Sequence, residues 1–129
     1  MIVDASALLA ILLDEADGQR FYTSLGRAGT SAISAVNYVE AGIRADRDRA
    51  AKRGELLDEL MQRFDVQIAS ITPEQAAIAR EAYRRYGKRN HPARLNLGDC
   101  FAYALSKARS EPLLFKGDDF SKTDVETAL

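Results

Sequence analysis

Asp4, Glu40, Asp99 and the adjacent pair Asp118 and Asp119 are the residues of this chain best placed to do chemistry. Asp4 closes the apolar opening Met1-Ile2-Val3 and runs straight into Ala5-Ser6-Ala7-Leu8-Leu9, so a short buried strand stops at a carboxylate and turns into a helix. The same layout returns in Pro112-Leu113-Leu114-Phe115-Lys116-Gly117-Asp118-Asp119-Phe120. In open parallel sheets, ligands bind in the crevice beyond the carboxyl ends of the strands. Carboxylates gathered there would repel one another, and a hard divalent cation is what normally holds such a group together. Ser6 stands two residues after Asp4, where it can hydrogen-bond that carboxylate or cap the first helix.

Each acid also has a plainer use. Glu40 shares a helical stripe with Ile33, Val36 and Ile43, where a buried charge needs compensation; Arg44, four residues on, is one partner within reach. Asp99 opens a helix carrying Phe101, Ala102, Ala104, Leu105 and Ala108, and Asn96 with Asp99 fits a helix cap. Capping and metal binding are compatible there. Gly117-Asp118-Asp119 is ordinary turn chemistry. The sole histidine, His91, lies in the polar run Lys88-Arg89-Asn90-His91-Pro92-Ala93-Arg94, and no serine sits in a Gly-x-Ser-x-Gly setting. Cys100 reads as a small core residue. There is no zinc-type Cys/His spacing, phosphate-binding glycine loop or dinucleotide fingerprint.

The elements that must position these side chains alternate between strands and helices. Strands are expected at 1–4, a very short one at 30–31, one at 66–70 and one at 113–116. Helices are expected at 6–13, 16–25, 34–45, 49–64, 72–87 and 96–108. Thr72 should cap its helix with Pro73 at the first helical position, and Gly87 should end it. Strands joined through helices pair in parallel. A three-layer α/β/α fold with a mainly parallel central sheet follows.

With 129 residues, no linker and no repeat, the chain is expected to form one domain, 1–129. The composition is 47% hydrophobic and 29% charged, without an apolar run that could cross a membrane. The apolar start begins at Met1 and contains Asp4, unlike a secretory signal, so a cytoplasmic protein is expected. One cysteine cannot form an internal disulfide. The net charge of −1 gives no global attraction for nucleic acid, so such binding needs a local patch.

Taken together, these stretches resemble the PIN-domain ribonucleases, and more narrowly the VapC-type toxins of type II toxin–antitoxin pairs. The resemblance covers essentially the whole chain. It rests on Val3-Asp4-Ala5-Ser6-Ala7, on Asn37-Tyr38-Val39-Glu40-Ala41, on Leu97-Gly98-Asp99-Cys100-Phe101-Ala102-Tyr103-Ala104 and on Leu114-Phe115-Lys116-Gly117-Asp118-Asp119-Phe120. Many members end the last strand with Thr-Asn-Asp-x-x-Phe. Here the turn is one residue shorter, which leaves Asp118 and Asp119 both open as the fourth acid; Asp118, directly after Gly117, is preferred.

The resemblance implies a PIN-like fold and metal-dependent endoribonuclease activity on structured RNA. It implies Mg2+ or Mn2+ on Asp4 and Asp99, with Glu40 and Asp118 or Asp119 completing the shell, and water activated by one or two ions. Lys88, Arg89, Arg94 and Lys116, with Arg84 and Arg85, would offer a local positive rim to RNA phosphates. It also implies a homodimer and a small VapB-type antitoxin lying over the N-terminal helices, with Leu8, Leu9, Leu12, Leu13, Phe21, Tyr22 and Leu25 supplying apolar surface. Two rivals remain. A haloacid-dehalogenase phosphatase needs Asp-x-Asp, and Ser6 stands where the second Asp belongs. A PIN-like binding module without activity would not need every acid.

Overall fold

The computed structural model describes residues 1–129. The elements are β1 (Ile2–Val3), α1 (Ala5–Leu12), α2 (Gly18–Ala28), β2 (Ser31–Ser34), α3 (Ala35–Asp46), α4 (Arg53–Arg63), β3 (Val66–Ala69), α5 (Pro73–Tyr86), α6 (Leu97–Arg109), β4 (Leu113–Leu114) and a 3-10 turn (Phe120–Lys122). The strands pair in parallel in the order β3-β2-β1-β4. Ile2 is in register with Ala32 on one side and Leu113 on the other.

Alternation along the strands divides the core between the two faces of the sheet. Ile2, Ala32 and Leu113 pack with α5 and α6 through Ala79, Ala82, Ala102 and Leu105. Val3, Ile33 and Leu114 pack with α1 to α4 through Leu8, Phe21, Ala41 and Leu60. Both faces are therefore covered, as strands apolar on both sides require. The three-layer expectation is met.

Several boundaries differ from the sequence reading, each for a local reason. β2 is a full four-residue strand, because it pairs with β3 from Ser31 to Ser34. β4 stops at Leu114, and Phe115 and Lys116 lie beyond it. α4 starts at Arg53 rather than 49: the Ala51 N–H bonds the Asp48 carboxylate at 3.2 Å, and Lys52 is left-handed at φ 53°. Thr72 caps α5 by accepting the Gln75 N–H at 3.1 Å. Gly87 ends α5 in an extended conformation, not a left-handed one, and an added Cβ there would collide with the Tyr83 carbonyl. The run 88–96 is not simply polar, since Ala93 and Leu95 are buried and Leu95 bridges back to Gly87. His91 is structural: its Nδ1 accepts the Ala93 N–H at 3.0 Å and its ring packs edge-on against Tyr86.

Candidate active site

The crevice forms where β1, β2 and β4 end and α1, α3 and α6 begin. Asp4 caps α1 and is 5% exposed. Its Oδ2 accepts both the Ser6 N–H at 3.0 Å and the Ser6 hydroxyl at 2.5 Å. The Asp4 N–H donates to the Leu114 carbonyl at 2.9 Å. Ser6 Oγ in turn accepts the Lys116 N–H at 3.0 Å. Ser6 thus ties the acid of β1 to the chain leaving β4, beyond its capping role.

Glu40 lies on α3, and its stripe is not the buried one. Ile33 belongs to β2, Val39 and Ile43 are 54% and 59% exposed, and α3 buries Asn37, Ala41 and Ala45 instead. Arg44 is not its partner. The Glu40 carboxylate accepts from Asn37 Nδ2 at 2.8 Å, and the same Nδ2 donates to the Gly98 carbonyl at 2.9 Å. Sequence reasoning passed over Asn37; the signal available was an amide one helical turn before the acid.

Asp99 and Asn96 form a reciprocal cap at the start of α6. The Asp99 N–H donates to Asn96 Oδ1 at 2.9 Å, and the Asn96 N–H donates to Asp99 Oδ2 at 3.0 Å. One carboxylate oxygen serves the helix and leaves the other available.

The carboxyls feel one another. Burial, followed by the charges of Asp4, Asp119 and Glu40, pushes Asp99 up to about 7, against the opposing Asn96 N–H. Burial, then the Asp4 charge, raises Glu40 against the Asn37 hydrogen bond. Burial raises Asp4 despite its bonds from Ser6 and Ala5. Asp4, Glu40, Asp99 and Asp119 therefore share one electrostatic neighbourhood. Of the two turn acids, Asp119 has a charge that bears on Asp99. The Asp118 backbone carbonyl accepts the Ser121 hydroxyl.

No three of these side chains stand close enough to form a ready-made coordination shell. The donor set nonetheless suits magnesium or manganese: it is all oxygen, and its charges are mutually destabilising. Mg2+ characteristically takes one or two carboxylates and keeps several waters. Asp4 and Asp99 would hold it, with Glu40 and Asp119 acting through water.

The basic residues separate into two groups. Lys88, Arg89 and Arg94 are exposed in the loop that leads into Asn96. Lys116 is not free for a phosphate, because its ammonium is bonded to Glu15 and, at 3.0 Å, to Asp17. Arg84 pairs with Glu81 at 3.5 Å, and Arg85 lies over the Tyr86 ring.

Of the apolar N-terminal residues, Leu8, Phe21 and Leu25 are core. Ile11, Leu12 and Tyr22 line a groove of about 500 Å3, whose other wall is Leu56, Leu60 and Arg63 of α4. No helix is long and apolar enough to cross a membrane.

Comparison with known proteins fits this architecture. The PIN domain family model matches residues 1–126. Ribonuclease VapC42 of Mycobacterium tuberculosis is 45% identical over 130 aligned residues, spanning 99% of this chain and 98% of the relative. Ribonuclease VapC28 of the same organism is 45% identical, spanning 100% of this chain and 98% of the relative. Ribonuclease VapC30 is 41% identical over 127 residues, spanning 98% and 97%. The crystal structure of M. tuberculosis VapC20, described as a Sarcin-Ricin loop cleaving toxin, superposes with a TM-score of 0.75 over 96% of this chain and 95% of that one. At 15% identity that likeness speaks to the fold.

Proposed function

The chain belongs to the PIN-domain family, and from that premise we propose that it is the ribonuclease toxin of a type II toxin–antitoxin pair, hydrolysing RNA phosphodiester bonds in the acidic crevice. The observation that carries the site assignment is that the Glu40 carboxylate lies against Gly98, the residue before Asp99, and is tied there through Asn37, while the charge of Asp4 bears on both acids. Structural acids on a surface have no reason to gather where their charges oppose one another. A site built for a cation does.

The residues divide the work. Ser6 fixes the Asp4 carboxylate at the end of β1. Asn96 fixes one oxygen of Asp99 and leaves the other to the crevice. Glu40 and Asp119 add negative charge around them. A bound Mg2+ or Mn2+ supplies charge for the phosphate and lowers the pKa of water. Lys88, Arg89 and Arg94 steer the RNA backbone toward the start of α6 by neutralising phosphates. We place the chain in the cytoplasm as one PIN domain.

The partners follow from the same reading. The groove lined by Ile11, Leu12, Tyr22, Leu56 and Leu60 takes an apolar helix of a VapB-type antitoxin. A basic antitoxin residue beyond it would be drawn to the carboxylates and compete with metal. A homodimer would cover Val39 and Ile43, which lie exposed on α3 beside Glu40.

The test uses the purified chain and a mixed RNA pool. Cleavage with Mg2+ or Mn2+, its loss on chelation and stoichiometric inhibition by the neighbouring gene product are expected. A pool left intact with either metal would contradict the reading.

A further inference from the structure

We infer that Asn37 is a positioning residue that holds Glu40 in place for the crevice. The inference rests on the metal-dependent ribonuclease reading and deepens it.

Asn37 is 0% exposed, and it lies one turn before Glu40 on α3. Its amide nitrogen donates to the Glu40 carboxylate at 2.8 Å and to the Gly98 carbonyl at 2.9 Å. Both partners are acceptors only, so the orientation of the amide is unambiguous. Its oxygen, by contrast, is buried with no partner. A buried amide oxygen without a donor is unfavourable, and an apolar side chain would fill that space without the cost. What Asn37 contributes is therefore its two N–H groups.

Those groups join two elements. Gly98 is the residue before Asp99, so Asn37 clamps the acid of α3 to the backbone that carries the acid of α6. Gly98 completes the arrangement: an added Cβ would collide with both Glu40 carboxylate oxygens. Glu40 lies against the α6 start because position 98 has no side chain and because Asn37 holds it there. No other hydrogen bond reaches the Glu40 carboxylate. Without Asn37 a long, rotamer-rich side chain would sample positions away from Asp4 and Asp99. Residues that orient metal-site carboxylates act on affinity in this way.

The experiment is a double-mutant cycle on the full chain, reading Mn2+ binding by calorimetry with no RNA present. Asn37→Ala should weaken binding about tenfold. Glu40→Gln should weaken it as well, and the double variant should be no weaker than Glu40→Gln alone, because Asn37 acts through Glu40. Losses that multiply, or an unchanged affinity in Asn37→Ala, would overturn the inference. Should Asn37→Ala fail to fold, the wild-type side-chain amide protons of Asn37 provide the readout by nitrogen-resolved NMR. They should move with Mg2+ at the same midpoint as the Asp99 N–H, and a static signal would overturn the inference. A wild-type chain that binds no Mn2+ would sink this inference together with the metal site. Binding with an additive cycle would sink the Asn37 role alone.

Discussion

Asn96 and Asp99 satisfy each other's backbone N–H groups, at 2.9 and 3.0 Å, while Asp99 also faces the charges of Asp4, Asp119 and Glu40. The same carboxylate therefore stabilises a helix and opposes its neighbours. Asp99→Asn separates the two effects, since an amide oxygen can still accept the Asn96 N–H. Without metal the variant should melt higher, by on the order of 1–2 kcal/mol once solvent screening is allowed for. It should also lose RNA cleavage. Calorimetric melting and a cleavage assay read both, and full activity would leave Asp99 as a cap alone.

Burial first, then those three charges, holds the folded Asp99 carboxyl at about 7 against an ordinary 3.8. An acid raised by folding favours the fold below its unfolded value and loses that contribution as pH rises through its folded value. Metal-free stability from this group should fall between about pH 4 and pH 7. Mn2+ affinity should climb across the upper part of that window, because the carboxylate must be deprotonated to bind. Titrations at pH 6 and pH 8 check this, and an affinity independent of pH would contradict it.

Asp118→Asn and Asp119→Asn should behave differently. Of the two, Asp119 is the one whose charge bears on Asp99, so Asp119→Asn should lower cleavage about tenfold or more, with Asp118→Asn close to wild type. The reverse order in initial rates would restore Asp118 to the site.

Ser6→Ala removes the hydroxyl shared between the Asp4 carboxylate and the Lys116 N–H. The fold should lose about 1–2 kcal/mol, and cleavage should fall about 10- to 100-fold as Asp4 loosens. Denaturant unfolding together with a rate measurement checks the pair. A stability loss with an unchanged rate would confine Ser6 to capping.

What the sequence revealed of this site was local. Asp4 at a strand end, the Asn96–Asp99 cap and the Thr72-Pro73 helix start each follow from residues within a few positions of one another. The missed features depend on distant segments meeting. Asn37 reads as a polar helix residue until the start of α6 packs against it, 61 positions away. Lys116 reads as a free cation until the turn after α1 brings Glu15 and Asp17 to it. The α3 stripe was misjudged because Ile33 belongs to β2, and because the buried face is made of the small residues Ala41 and Ala45. The choice between Asp118 and Asp119 depends on how the short turn is aimed, which its spacing does not encode.

In the proposed function, the carboxylate of Asp4 makes this crevice a metal-dependent ribonuclease centre. The measurement is RNA cleavage by Asp4→Asn beside wild type, in Mg2+ and in Mn2+, with circular dichroism and melting to show that the variant is folded. The variant is expected to fold and to show cleavage at background in both metals. A folded Asp4→Asn chain that cuts RNA at the wild-type rate would contradict that function.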